Sequence, residues 1–142
     1  MTDRHEFRRL MSRLADAWST QDTEAGVQCF TEDATYMEPP DAQLFVGHDQ
    51  LRTYFGALAP GTSMRWTGLW FDDETQSGAG EFVFGEAGDS IVDHGVAIVE
   101  LRDGRIRSWR EYLTKGPASQ EDFLALEIKS WKWHIGRYTE RE

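Results

Sequence analysis

Residues 100–113 read ELRDGRIRSWREYL, and the way this stretch folds back on itself decides the architecture. Asp103-Gly104 lies between two runs of alternating character, the signature of a two-residue hairpin whose turn residues take positive φ. With that turn, Arg102 pairs with Arg105, Glu100 with Arg107, Ile98 with Trp109, Val96 with Glu111 and His94 with Leu113. Opposed residues share a face, so this register predicts that His94, Val96, Ile98, Trp109 and Glu111 lie on one side of a sheet. Glu100 and Arg107 then form an exposed cross-strand ion pair near the turn.

Working upstream, SIVDHGVAIVEL (90–101), GEFVFGE (80–86) and SMRWTGLWF (63–71) read as three further strands. GEAGDS (85–90) is a looser turn; centred on Ala87-Gly88 or Gly88-Asp89, it places Glu81 and Val83 on the face of His94 and Val96. In the earliest strand, Met64, Trp66, Gly68 and Trp70 alternate with Arg65, Thr67, Leu69 and Phe71. The opposite face of the last hairpin carries Ala97, Val99, Leu101, Ile106 and Tyr112. Both faces are substantially apolar, so one is expected beneath helices and the other against a second copy of the chain.

The first part of the chain is helical in pattern. Phe7, Leu10, Met11, Leu14 and Trp18 recur at three and four, and Asp3 followed by Glu6 resembles a capping box. TEAGVQCF (23–30) fits a short second helix with Thr23 as N-cap, and a third runs from about Asp49 to Leu58. Between them TYMEPP (35–40) is a strand halted by Pro39-Pro40, which can donate no ladder hydrogen bonds. Tyr36 and Glu38, two apart, share one of its faces. Past KGP, Ser119 is the N-cap of a C-terminal helix with Leu124, Ile128, Trp131 and Ile135 as one stripe and Phe123 and Trp133 off it. That tail is expected to pack on the sheet or a partner, or to close the mouth of a pocket.

The chain has 142 residues and a net charge of −10, which repels phosphate backbones and anionic lipid. With a charged start and no apolar run near the roughly 20 residues of a membrane span, it is expected to be cytoplasmic. The reading is one domain over 1–142, with a core at 5–115 and a helical tail at 118–135. Cys29, the single cysteine, reads as a small buried hydrophobe. His5, His48, His94 and His134 show no metal-ligand spacing, and no Gly-rich phosphate loop is present. Six Trp, four Tyr and eight Phe exceed what a core this size needs and suit a concave site.

Helix, helix, CFTEDATYMEPP, FVGHDQLRTYF, the alternating strands and ELRDGRIRSWREYL together resemble the SnoaL-like branch of the nuclear transport factor 2-like superfamily. The resemblance implies an α+β cone, in which a strongly curved sheet wraps over the N-terminal helices and encloses a pocket, commonly in a dimer. In steroid delta-isomerases, to which the chain is similar, the general-base carboxylate precedes the proline after the second helix, the position of Glu38. Their tyrosine donor falls near Leu14 and their acid donor near Val96. In limonene-epoxide hydrolases the residues holding the water resemble Tyr36 and Glu38, and the aspartate of their Trp-Arg-Asp-Tyr segment matches Glu111. Polyketide cyclases of the SnoaL type transfer protons through a carboxylate without a cofactor.

The expectation is therefore a cofactor-free acid/base site for an apolar or aromatic organic molecule, in a homodimer, with no bound metal; the alternative is a non-catalytic ligand-binding or dimerisation module of the same fold. Glu38 is the base, Tyr36 a hydrogen-bond donor, and Glu111 the relay partner together with His94 or Glu81. Trp18, Phe30, Trp66, Trp70, Val96, Ile98 and Trp109 are the expected walls.

Overall fold

The computed structural model describes residues 1–125. The chain runs α1 (Arg4–Ser19), α2 (Thr23–Val27), β1 (Phe30–Glu38), a 3-10 turn (Pro39–Asp41), β2 (Gln43–Val46), α3 (Gly47–Gly56), β3 (Thr62–Asp72), β4 (Ser77–Glu86), β5 (Ile91–Arg102), β6 (Arg105–Pro117) and α4 (Gln120–Leu124). The expected stripe residues Ile128, Trp131 and Ile135, with Trp133 and His134, lie outside the described residues.

Six strands form one sheet in the order β2-β1-β6-β5-β4-β3. Strands β3 to β6 follow one another as antiparallel hairpins, and β1 enters parallel to β6. This is the α+β architecture the sequence predicts. Asp103 and Gly104 both take positive φ, at 53° and 78°, as the two-residue turn requires.

The register beyond that turn differs from expectation by one residue. Arg102 pairs with Arg105 and Leu101 with Ile106, but Glu100 then faces Ser108, leaving Arg107 as a bulge. One extra residue flips every later side chain to the other face. Trp109 therefore opposes Val99 and Glu111 opposes Ala97, while His94, Val96 and Ile98 oppose Thr114, Tyr112 and Arg110. The expected common face of Trp109 and Glu111 with His94, Val96 and Ile98 is thereby corrected. The Glu100–Arg107 ion pair persists at 3.2 Å without direct opposition, exposed on both sides.

A second bulge acts on β3. Trp66 opposes Phe82 and Gly68 opposes Glu81, so Thr67 is the extra residue. Trp66 stays on the inner face with Leu69 and Phe71, whereas Trp70 is turned outward and is 59% exposed. Trp66 fits because Gly80 lies under its ring: a Cβ there would come within 2.4 Å of it. The β4–β5 turn keeps the expected parity, with Glu81 opposite Val96 and Val83 opposite His94.

The inner face packs on the helices. Phe7, Leu10, Met11, Leu14 and Trp18 of α1 bury against Met64, Phe82, Val99, Ile106 and Trp109, with Leu51 and Phe55 of α3 closing the other side. The Asp3–Glu6 capping box starts α1, its two reciprocal bonds both 2.8 Å. Asp22 rather than Thr23 caps α2, its carboxylate accepting from the Ala25 amide. Phe30 opens β1 instead of ending that helix, because its backbone joins the parallel ladder opposite Ile106. Cys29 is buried, and burial pushes its thiol pKa up. Ser119 caps α4, and Phe123 stacks on His94 at 3.7 Å, so the start of the tail lies on the outer face.

Candidate functional site

The parallel pairing of β1 with β6 sets Tyr36 beside Trp109. Two residues further along each strand, Glu38 and Glu111 point the same way, into the space between the sheet and α3. Glu38 is the final residue of β1, where Pro39 ends the ladder and begins the 3-10 turn. Five side chains with polar groups converge here. Tyr36 donates to Glu111 Oε1 at 2.5 Å, Trp109 Nε1 donates to the same oxygen at 3.3 Å, and Tyr54 of α3 donates to Glu38 Oε1.

Glu38 and Glu111 are each only 5% exposed. Burial raises the pKa of Glu38, the Tyr54 hydrogen bond opposing it. Burial, assisted by the nearby Glu38 charge, pushes Glu111 up to about 7, against the pull of Tyr36 and Trp109. The Glu38 charge opposes ionisation of Glu111, so the pair disfavours carrying two charges at once. Burial keeps both tyrosines protonated and donating. The unit Tyr54–Glu38–Glu111–Tyr36 can thus give and accept a proton near neutral pH.

These groups line a cavity of about 440 Å³ whose apolar walls come from Trp18, Phe55, Leu58, Phe82, Phe84 and Trp109. Asp41, Asp93 and Lys115 stand in its lining too, and Lys115 donates to Asp93 at 3.0 Å. Phe30 and Trp66 sit deeper: Phe30 packs on Tyr36, Phe55 and Trp109, and Trp66 donates to the Met11 carbonyl at 2.7 Å.

The structure brings Glu38, Tyr36, Glu111, Trp18 and Trp109 to this cavity. It does not bring His94, Glu81, Val96, Ile98 or Trp70, which the two bulges leave on the outer face. Glu81 accepts from Thr67, and His94 hydrogen-bonds the Pro117 carbonyl and Gln120 Oε1. Tyr54 was legible only as one more apolar position on α3. Its spacing from Phe55 and Leu58 marks a helix face, and only the tertiary fold shows that its hydroxyl reaches Glu38.

Residues 11–109 match the SnoaL-like domain family, and the chain belongs to it. Its fold is that of the nuclear transport factor 2-like proteins. A putative ketosteroid isomerase from Kribbella flavida superposes with a TM-score of 0.70 at 20% identity, covering 92% of this chain and 95% of that one. An epoxide hydrolase of limonene-epoxide-hydrolase type from M. tuberculosis gives 0.63 at 15%, covering 84% and 86%. A ketosteroid isomerase-like protein from Catenulispora acidiphila, solved in complex with trimethylamine, gives 0.63 at 18%, covering 87% and 97%. No curated protein matches the chain.

Proposed function

We propose that the chain is a cofactor-independent acid/base enzyme acting on a small apolar or aromatic organic molecule held in the cavity. The observation that carries this reading is the buried carboxyl pair Glu38–Glu111, each member anchored on one oxygen by a tyrosine hydroxyl. Two buried carboxyls whose pKa values burial raises can present a base and an acid to the same bound molecule. Glu38, at the end of its strand, is the base. Glu111 returns or relays the proton, and Tyr36 and Tyr54 hold the two carboxyls in place. Isomerisation, cyclisation, dehydration and water addition all need no more than this. His94 and Glu81 have no part in the chemistry.

Homodimerisation through the outer sheet face belongs to the same proposal. Trp70 and Tyr112 stand there 59% and 42% exposed, beside Val96 and Ile98. Screening for turnover of compounds with an activated C–H bond or an epoxide, followed by pH-rate profiles, tests the catalytic reading. Glu38→Gln should lower kcat at least a hundredfold, and Glu111→Gln should remove an inflection near pH 7. Full turnover by Glu38→Gln on every accepted substrate would defeat the assignment.

A further inference from the structure

We infer that the cavity selects molecules bearing a protonated amine, and that it rejects carboxylates of the same shape; this rests on reading the cavity as a small-molecule site. The argument is an inventory of hydrogen-bond capacity. The side-chain donors of the inner wall are already engaged: Tyr36 and Trp109 on Glu111, Tyr54 on Glu38. Lys115 is drawn to Asp93. Trp18 Nε1 is unpartnered but sealed in the core, out of a ligand's reach. Thr114 alone among the remaining lining side chains keeps a free hydroxyl.

The acceptors are in the opposite state. Oε1 of each glutamate is occupied, while among the described residues no tyrosine, tryptophan or backbone group donates to Oε2 of either. Both glutamates line the cavity, and neither Oε2 is sealed and unpartnered in the way Trp18 Nε1 is. Each belongs to a side chain more than nine-tenths buried. A buried acceptor facing a cavity is satisfied by an occupant that donates.

Charge then separates amines from neutral donors. Among the described residues, the cavity is lined by Glu38, Asp41, Asp93 and Glu111 against Lys115 alone. Even with one proton held by the glutamate pair and Asp93 offset by Lys115, it stays net negative. The aromatic lining of Tyr54, Phe55, Phe82 and Phe84 suits an apolar or aromatic body attached to an ammonium group. An ammonium with an apolar or aromatic body matches all three features; a carboxylate would meet repulsion and find no donor.

Calorimetric titration of the whole chain at pH 7.5 tests this with benzylamine, phenethylamine and tryptamine, each beside the alcohol and the carboxylate of matching skeleton. The expected result is that at least one amine binds tenfold or more tightly than its alcohol, with no binding by its carboxylate. Glu111→Gln should lower that preference at least fivefold, whereas Phe123→Ala, on the outer face, should leave it unchanged. Equal binding of amine and alcohol, binding of any carboxylate, an unaltered preference in both Glu38→Gln and Glu111→Gln, or no amine binding at all would overturn it. Binding is read without turnover, so amine selectivity in a chain that never turns over would sink the catalytic reading and leave this one standing.

Discussion

Tyr36 and Trp109 are paired across the parallel junction of β1 and β6, their rings stacked 9° from parallel at 5.3 Å, and both donate to the same oxygen of Glu111. Ring stacking and hydrogen bonding here reinforce each other. The stack fixes where the two donors point, and the shared acceptor holds the stack in register. Glu111 is thereby placed by residues whose own rotamers are locked by the core, a preorganised arrangement of the kind acid/base chemistry needs.

The proton held by Glu111 should be visible in stability. Its pKa is raised in the fold to about 7 from an ordinary 4.5, so between these values the native state binds more protons than the unfolded chain. The sign follows: the contribution is present below about pH 4.5 and is lost as pH rises through 7, amounting to roughly 3 kcal/mol. Denaturant titrations of the wild type from pH 4.5 to 8 should show this fall, after subtraction of the Glu111→Gln curve, which lacks it. Superimposable pH dependences for the two proteins would contradict the assignment.

Tyr36→Phe should move that titration upward. The tyrosine hydrogen bond favours the charged carboxylate, so its loss leaves burial and the Glu38 charge less opposed. Carbon-13 NMR of labelled glutamate should place the Glu111 titration higher in Tyr36→Phe than in wild type. The stability cost should be about 1–3 kcal/mol at pH 8, where the buried charge loses its best donor, and smaller at pH 5.

Deleting Arg107 tests the bulge. Without it, Trp109, now fully buried, and Glu111 would be driven to the outer face, or the β5–β6 ladder would have to break. The deletion should abolish cooperative unfolding and red-shift tryptophan emission. Arg107→Ala, which keeps the extra residue and removes an exposed ion pair, should cost less than about 1 kcal/mol.

Gly80→Ala tests the contact with Trp66. A methyl group there would come within 2.4 Å of the indole ring, which Phe82 and Trp109 also hold. Overpacking of this kind should cost about 1–3 kcal/mol in denaturant unfolding. Little or no loss would mean that Trp66 has room to shift.

The hairpin turn, the capping box and the helix faces were legible because each rests on local chemistry: Asp103-Gly104, Asp3 with Glu6, Phe7 with Leu10, Met11 and Leu14. The strand-terminal position of Glu38 was legible from Pro39-Pro40. Faces failed at Thr67 and Arg107, where strict alternation was assumed through a bulge. A mark of each bulge is in the sequence, since Ile106 and Trp109, and Trp66 and Leu69, are large apolar residues three apart, a spacing no regular strand places on one face. Strand β2, an edge of four residues whose side chains are mostly exposed, has no periodic pattern to read. Tyr54 escaped because a hydroxyl on a buried helix face gains meaning only from what the sheet brings opposite it.

The one parallel junction in the sheet also sets an order of events in time. Tyr36 and Glu111 are 75 residues apart, and every strand of the hairpin series lies between them. A chain emerging from the ribosome can complete α1, α2, β1 and α3 long before β6 exists, and until then Tyr36 and Glu38 lack Trp109 and Glu111. The site consequently cannot be complete before β6 has been made and the long loop between β1 and β6 has closed. No shorter stretch of the chain contains it in nascent form, and its appearance reports that synthesis and folding have both run to the end of the sheet.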